Sequence, residues 1–184
     1  MSTTEKKHPQ LQALDASIAR LRDEVRVQTD KAKTVAHAKL AQLRAERDSK
    51  RLEILTGIST SIIKAQVELA AGEAKAKGEA HRQQLEHKLH QAKRDLQDYA
   101  MNVKHATDEE IESLEAYAKT AGAAAKDRIA QSRDRLRAQR DAFTRSAEAF
   151  ARAGGAKVEL AKQEFELSMR ELTNLSNEGA VLLN

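Results

Sequence analysis

After Pro9 the chain contains no proline at all. Proline lacks a backbone donor and clashes with the preceding turn, so it breaks or kinks a helix wherever it falls in the interior. Without it, the remaining 175 residues (184 less the first nine) meet no strong local obstacle to continuous helix. The residues present push the same way, because Ala, Leu, Glu, Gln, Lys and Arg, all good helix formers, dominate the sequence.

The rings are few and unevenly placed: Tyr99, Tyr117, Phe143, Phe150 and Phe165, all in the C-terminal half. A buried ring contributes about 150–250 Å² to a core. The N-terminal half must therefore build its interior from Leu, Ile, Val and Ala, which suits a narrow helix–helix seam. The fold class this implies is all-α: long amphipathic helices in an antiparallel coiled coil or elongated helical bundle that self-associates.

The apolar pattern starts as heptads at Leu11, Leu14, Ile18, Leu21 and Val25. It then steps 4, 3, 4 from Val25 through Leu40, Leu43, Ile54, Ile58, Ile62, Ala65 and Leu69 to Ala80, with 12 of 16 positions apolar. An 11-residue period is about 3.67 residues per turn and favours straight or slightly right-handed packing. Arg47 and Arg51 interrupt this track. Helical spacing resumes through Leu85, Leu89, Leu96 and Val103. From Lys126 a seven-residue repeat runs KDRIAQS, RDRLRAQ, RDAFTRS, AEAFARA, placing Ile129, Leu136, Phe143 and Phe150 on one stripe. Its companion positions Ser132, Gln139 and Ser146 are polar, so the stripe is thin.

Punctuation comes from residues other than proline. Gly154-Gly155 is the strongest breaker, costing about 2 kcal/mol relative to two alanines within a helix. Thr107-Asp-Glu-Glu110 has the form of a capping box, which predicts a turn over 102–107. Thr56-Gly57 with Ser59 to Ser61 is a weaker candidate break, opposed by an isoleucine track that keeps its register across it. The expected organisation is a disordered N-terminus over 1–9 and a long helical arm over 10–102, with 56–61 as its candidate break. A second helix over 108–153 carries the heptad repeat at 126–153. A C-terminal helix over 156–178 and a tail over 179–184 complete it.

No cysteine is present, which excludes disulfides, thiolate catalysis and cysteine zinc sites and fits a reducing compartment. The first ten residues are polar, unlike a secretory signal. A cytoplasmic protein is expected, peripheral at a membrane or granule surface under one alternative. His87 and His90 share a helix face, but no carboxylate lies three residues before either, so solvated histidines are expected and no metal or cofactor. No phosphate loop or nucleophile–base constellation is present, and an enzyme is not expected.

The candidate helix-seam and oligomer contacts are Leu14, Ile18, Leu21, Leu40, Leu43, Ile54, Ile58, Ile62, Leu69, Leu96, Ile129, Leu136, Phe143, Phe150 and Phe165. An anionic partner would find Arg128, Arg133, Arg135, Arg137, Arg140 and Arg145, although interleaved Asp127, Asp134 and Asp141 offset their charge. The leading functional expectation is a structural, self-assembling rod, bundle or filament subunit whose partner is a second copy. The alternative is an amphipathic-helix coat on a membrane, lipid or polymer granule, where Arg47, Arg51 and Lys64 would snorkel to anionic headgroups. A third is an adaptor for an anionic partner or nucleic acid through the arginine repeat. The net charge of +4 gives nucleic acid little support, and no small-molecule substrate is implied.

Overall fold

The computed structural model describes residues 9–25, 30–70 and 78–183. Among these the chain is all-α: α1 (Pro9–Val25), α2 (Asp30–Ala70), α3 (Glu79–Thr120), α4 (Ala123–Arg152), a short 3-10 turn (Gly155–Lys157) and α5 (Val158–Leu182). No strand occurs among the described residues. No described helix is long and apolar enough to cross a membrane. The chain divides into two compact units, one up to Ile54 and the other from Leu55 to Leu183.

The first unit holds α1 and the beginning of α2. Pro9 lies in the first turn of α1, where its missing N–H leaves no intrahelical bond unmade. Ile18, Ala36 and Leu40 form the buried cluster, with Leu21 and Leu43 packed against it. The opening heptads of α1 and the first steps of the 11-residue track thus meet in one seam.

The second unit is a helical bundle of the remainder of α2 with α3, α4 and α5. α4 packs against both α3 and α5. Along α4, Arg135, Gln139 and Phe143 meet Glu178, Ser168 and Phe165, so α4 and α5 run in opposite directions. Arg137 and Arg140 meet Glu115 and Asp108 in the same reversed order on α3. Tyr99, Phe143, Phe150 and Phe165 are the largest fully buried side chains, joined by Leu55, Ile62, Leu96, Leu114, Ile129 and Leu136. Phe143 stacks on Phe165 with centroids 5.2 Å apart, and Phe150 tilts against it at 5.9 Å.

The connections explain why the bundle closes where it does. At Ala121-Gly122 the backbone turns extended, and the Gly122 carbonyl accepts from the amides of Ala125 and Lys126, each at 3.0 Å, to start α4. At the other end the Ala153 amide donates to the Ala149 carbonyl, closing α4, and Gly155 takes φ +57°, a conformation L side chains rarely adopt. The Gln66 side-chain amide of α2 donates to the Ala153 carbonyl at 2.8 Å, tying α2 to this corner.

Several expected boundaries are corrected. Within the arm expected over 10–102 the described residues form α1, to Val25, α2, to Ala70, and α3, which Gly78 precedes with φ +91°; residues 26–29 and 71–77 lie outside the described residues. At 56–61, the candidate break that the isoleucine track opposed, α2 runs on without a turn, and the Ser61 hydroxyl donates to the Gly57 carbonyl within the helix. No turn occurs at 102–107 either. The Thr107 hydroxyl donates back to the Val103 carbonyl at 2.8 Å, and Glu110 accepts from Ser176 of α5, so neither residue caps anything. The second helix accordingly begins at Ala123, not at 108. The tail over 179–184 is largely helix: α5 runs to Leu182, and Gly179 and Ala180 are buried. Of the expected disordered N-terminus, Pro9 is helical and residues 1–8 lie outside the described residues, as does Asn184.

Candidate functional site

α4 carries the arginine repeat, and its neighbours neutralise most of it. Arg135 meets Glu178 of α5 at 3.0 Å. Arg137 pairs with Glu115, and Arg140 with Asp108, both on α3. Arg133 folds onto Asp134 at 2.8 Å, and Arg140 also holds Asp141 at 2.8 Å. Arg128 and Arg145 are exposed and have no ion-pair partner among the described residues. The repeat therefore braces α3, α4 and α5 more than it forms an open cationic face. Exposed ion pairs contribute little each, about 0–1 kcal/mol, but these fix which turn of one helix faces which turn of the next.

Among the described residues, the Asp108–Arg140 pair is held away from its ordinary titration. Burial pushes the Asp108 carboxyl up, but hydrogen bonds from Arg140 and Lys104 outweigh it and hold it below its ordinary value. Arg140 is held charged more firmly than usual, first by its hydrogen bond to Asp141, against burial, and then by Asp108. The Lys104 ammonium sits 3.2 Å from the second Asp108 oxygen.

Polar side chains also occupy the thin stripe of the heptad repeat. Gln139 donates to the Ser168 carbonyl at 3.1 Å and to Glu171 at 3.0 Å. Ser146 donates to the Phe143 carbonyl within its own helix. Ser132 lies 3.3 Å from where a Cβ on Gly179 would be, so a small residue on α4 faces a glycine on α5. These positions take no apolar side chain because they close small or polar contacts.

The expected seam residues are placed inward. Ile18, Leu40, Ile62, Leu96, Ile129, Leu136, Phe143, Phe150 and Phe165 are buried, and Leu14, Leu21, Leu43, Ile54, Ile58 and Leu69 are half-buried. Around Ile54 and Ile58 the seam runs one residue over, through fully buried Leu55 and Ser59. Tyr99, Ile111 and Leu114 are further core residues of α3 that the sequence pattern left out, obscured by the expected turn in their midst. Ala80, the last position of the 4, 3, 4 track, is exposed.

Arg47 and Arg51 lie inward in this fold. They are 3% and 5% exposed, and Asp15 of α1 lies 3.9 and 3.8 Å from their respective guanidinium groups, while Asp48 holds Arg47 at 3.1 Å. Among the described residues, no group of three or more His, Asp or Glu side chains could hold a metal ion. His81 is half-buried, and His87 and His90 are exposed.

One apolar stripe faces outward. On α5, Leu160, Leu167 and Val181 are 60%, 57% and 71% exposed and fall 7 and 14 residues apart. Glu164, Glu171 and Glu178, also exposed, form a parallel acidic row beside them. The opposite face of α5 holds Phe165, Met169 and Leu172 in the core. No protein-family model matches the chain, and no curated protein or solved structure matches it.

Proposed function

We propose that the protein is a non-enzymatic structural or scaffolding element, a coiled-coil-like bundle that assembles with copies of itself into a rod, bundle or filament. The observation that supports this is the outward stripe of α5. Three large apolar side chains one and two heptads apart, with exposed Asn174 at the heptad position between the last two, lie on a helix whose other face is already buried and resemble a second helix–helix seam lacking its partner. Isolated exposed apolar residues need no explanation, but an aligned row is unusual on a monomer surface.

The charges beside the stripe favour one kind of contact. A two-fold contact would bring the same patch of both copies together and place the Glu164, Glu171 and Glu178 rows near each other. Contact with a different, basic surface of the next copy avoids that repulsion, and Arg128 and Arg145 offer such charge on α4. A contact between unlike patches propagates wherever its rotation does not close a ring, which suits a filament or rod. The alternative, a coat on lipid or a polymer granule, would require the seams holding Ile62 and Leu55 to open, since both are fully buried.

Sedimentation velocity across a concentration series tests the proposal. The wild-type chain should gain mass with concentration, whereas the triple variant Leu160→Gln, Leu167→Gln, Val181→Gln should stay monomeric with unchanged helicity. A wild-type protein that remains monomeric up to about 100 μM, where contacts worth about 6 kcal/mol would be visible, refutes it.

A further inference from the structure

Cations without a partner converge away from the arginine repeat, in a cleft between α3 and α4. His90, Lys93, Arg94 and Gln97 line one wall and Glu148, Ala151 and Arg152 the other, around a volume of about 430 Å³. Glu148 is engaged by Arg152 at 2.6 Å. Lys93 and Arg94 have no ion-pair partner among the described residues. Three permanent cations against one carboxylate leave a surplus of +2 before His90 is counted.

A cleft of similar size, about 420 Å³, lies between α2 and α3 and provides the contrast. There Lys64 and Lys88 are matched by Glu68 and Asp95, so the charges cancel. The surplus in the α3–α4 cleft is thus not simply a property of a lysine-rich surface. The helices that form it are also firmly seated, since Leu96, Phe150 and Ala151 are buried, and the Arg140–Asp108 and Arg137–Glu115 pairs hold the two helices together.

We infer that the α3–α4 cleft binds a multiply charged phosphate group, a phosphomonoester or pyrophosphate. The unpaired Arg94 guanidinium can take two phosphate oxygens, Lys93 adds a compact charge, the Gln97 amide supplies a neutral donor, and Arg152 on the other wall offsets the Glu148 carboxylate it holds. A singly charged carboxylate leaves part of the surplus uncompensated. A nucleic-acid backbone needs a continued track of free cations, and Arg133, Arg135, Arg137 and Arg140 beyond the cleft are already committed to carboxylates.

Calorimetric titration of the full chain with inorganic pyrophosphate, at about 0.05 M ionic strength to limit screening, tests the inference. One saturable site is expected. Lys93→Gln/Arg94→Gln removes two charge-assisted donors and should weaken it at least about tenfold. Arg152→Gln, on the other wall, should weaken it in the same direction. Arg128→Gln/Arg145→Gln removes two unpaired cations outside the cleft and should leave affinity within about twofold. Circular dichroism confirms that each variant is folded. Absence of saturable binding by the folded wild-type chain, or equal weakening in the Arg128/Arg145 variant, overturns the site. Vesicles of phosphatidylcholine with and without a phosphoinositide distinguish the sources of the phosphate. Pyrophosphate-competed binding to the phosphoinositide vesicles assigns a lipid headgroup, and pyrophosphate binding without vesicle binding assigns a soluble phosphate.

Discussion

Phe165 should be the most costly single truncation in the second unit. Its side chain is fully buried and lies against two rings, stacked on Phe143 at 5.2 Å with 29° between planes and tilted on Phe150 at 5.9 Å with 30°. Phe165→Ala removes the ring that links α5 to α4 and leaves a cavity a rigid helix pair closes only in part, for a cost of about 3–5 kcal/mol. Phe165→Leu keeps most of the volume and gives up the stacking, so its cost should be smaller, about 1–2 kcal/mol. The double cycle with Phe143→Ala should show about 0.5–1.5 kcal/mol of coupling. Urea unfolding followed by tyrosine fluorescence is the suitable assay. The chain has no Trp, and its two Tyr residues, Tyr99 and Tyr117, both lie in the second unit, so the signal is confined to the structure being perturbed. A Phe165→Ala cost under about 1.5 kcal/mol, well below the range for a buried ring, or additivity with Phe143→Ala, would refute the packing argument.

Three other perturbations discriminate between residues the sequence treats alike. Gly155→Ala should cost about 1–2 kcal/mol because φ is +57°, whereas Gly154→Ala, at φ −151° with open space around it, should be neutral or mildly stabilising by urea unfolding. Gly179→Ala should stay within about 1 kcal/mol of wild type, since its new methyl meets Ser132 at 3.3 Å and Leu114 at 3.4 Å; Gly179→Leu overfills the same gap and should cost about 1–3 kcal/mol. Asp108 has a lowered folded pKa, so its contribution is present above its ordinary value of 3.8 and is lost as pH falls through the lowered one. Thermal melts in acid should therefore fall less steeply for Asp108→Asn than for wild type, and identical acid limbs would contradict the pairing.

The sequence made some of this organisation visible and hid the rest for physical reasons. The absence of proline and the helix-forming composition made the all-α class readable, because backbone chemistry sets both locally. The Ile129, Leu136, Phe143 and Phe150 stripe was readable because a seven-residue repeat puts those side chains on one face wherever the helix packs. The α3–α4 turn was not. Thr107 and Glu110 have the chemistry of a cap, but a cap forms only where the chain leaves the helix, and here Glu110 bonds to Ser176, 66 residues away. Gly122 alone is a weak local signal beside it. Arg47 and Arg51 looked like interruptions because their carboxylate partner, Asp15, comes from another helix. The arginine repeat looked like a free cationic face for the same reason, since Asp108, Glu115 and Glu178 approach it only through the fold. The outward row Leu160, Leu167 and Val181 was present in the sequence, but choosing which face of α5 is buried required the positions of Phe165 and Met169 against α4 and α3.

The two units differ in how much apolar packing they contain, and this bears on where assembly acts. Every ring of the chain lies beyond Ile54, and among the described residues of the first unit only Ile18, Ala36 and Leu40 are buried apolar side chains. Val35 and Leu52, on the same stretch of α2, are 72% and 42% exposed. Buried arginines occupy two of the seam positions there, and an ion pair out of water contributes less net stability than the apolar side chain it displaces. Helices in such a unit gain little from internal burial against the entropy of ordering them, so a partner that covers apolar surface should stabilise them most. Hydrogen exchange should therefore show protection in α4 that is independent of concentration, and protection over 35–54, as along the α5 stripe, that rises as copies associate. Equal, concentration-independent protection in both regions would mean that the first unit is stable without a partner.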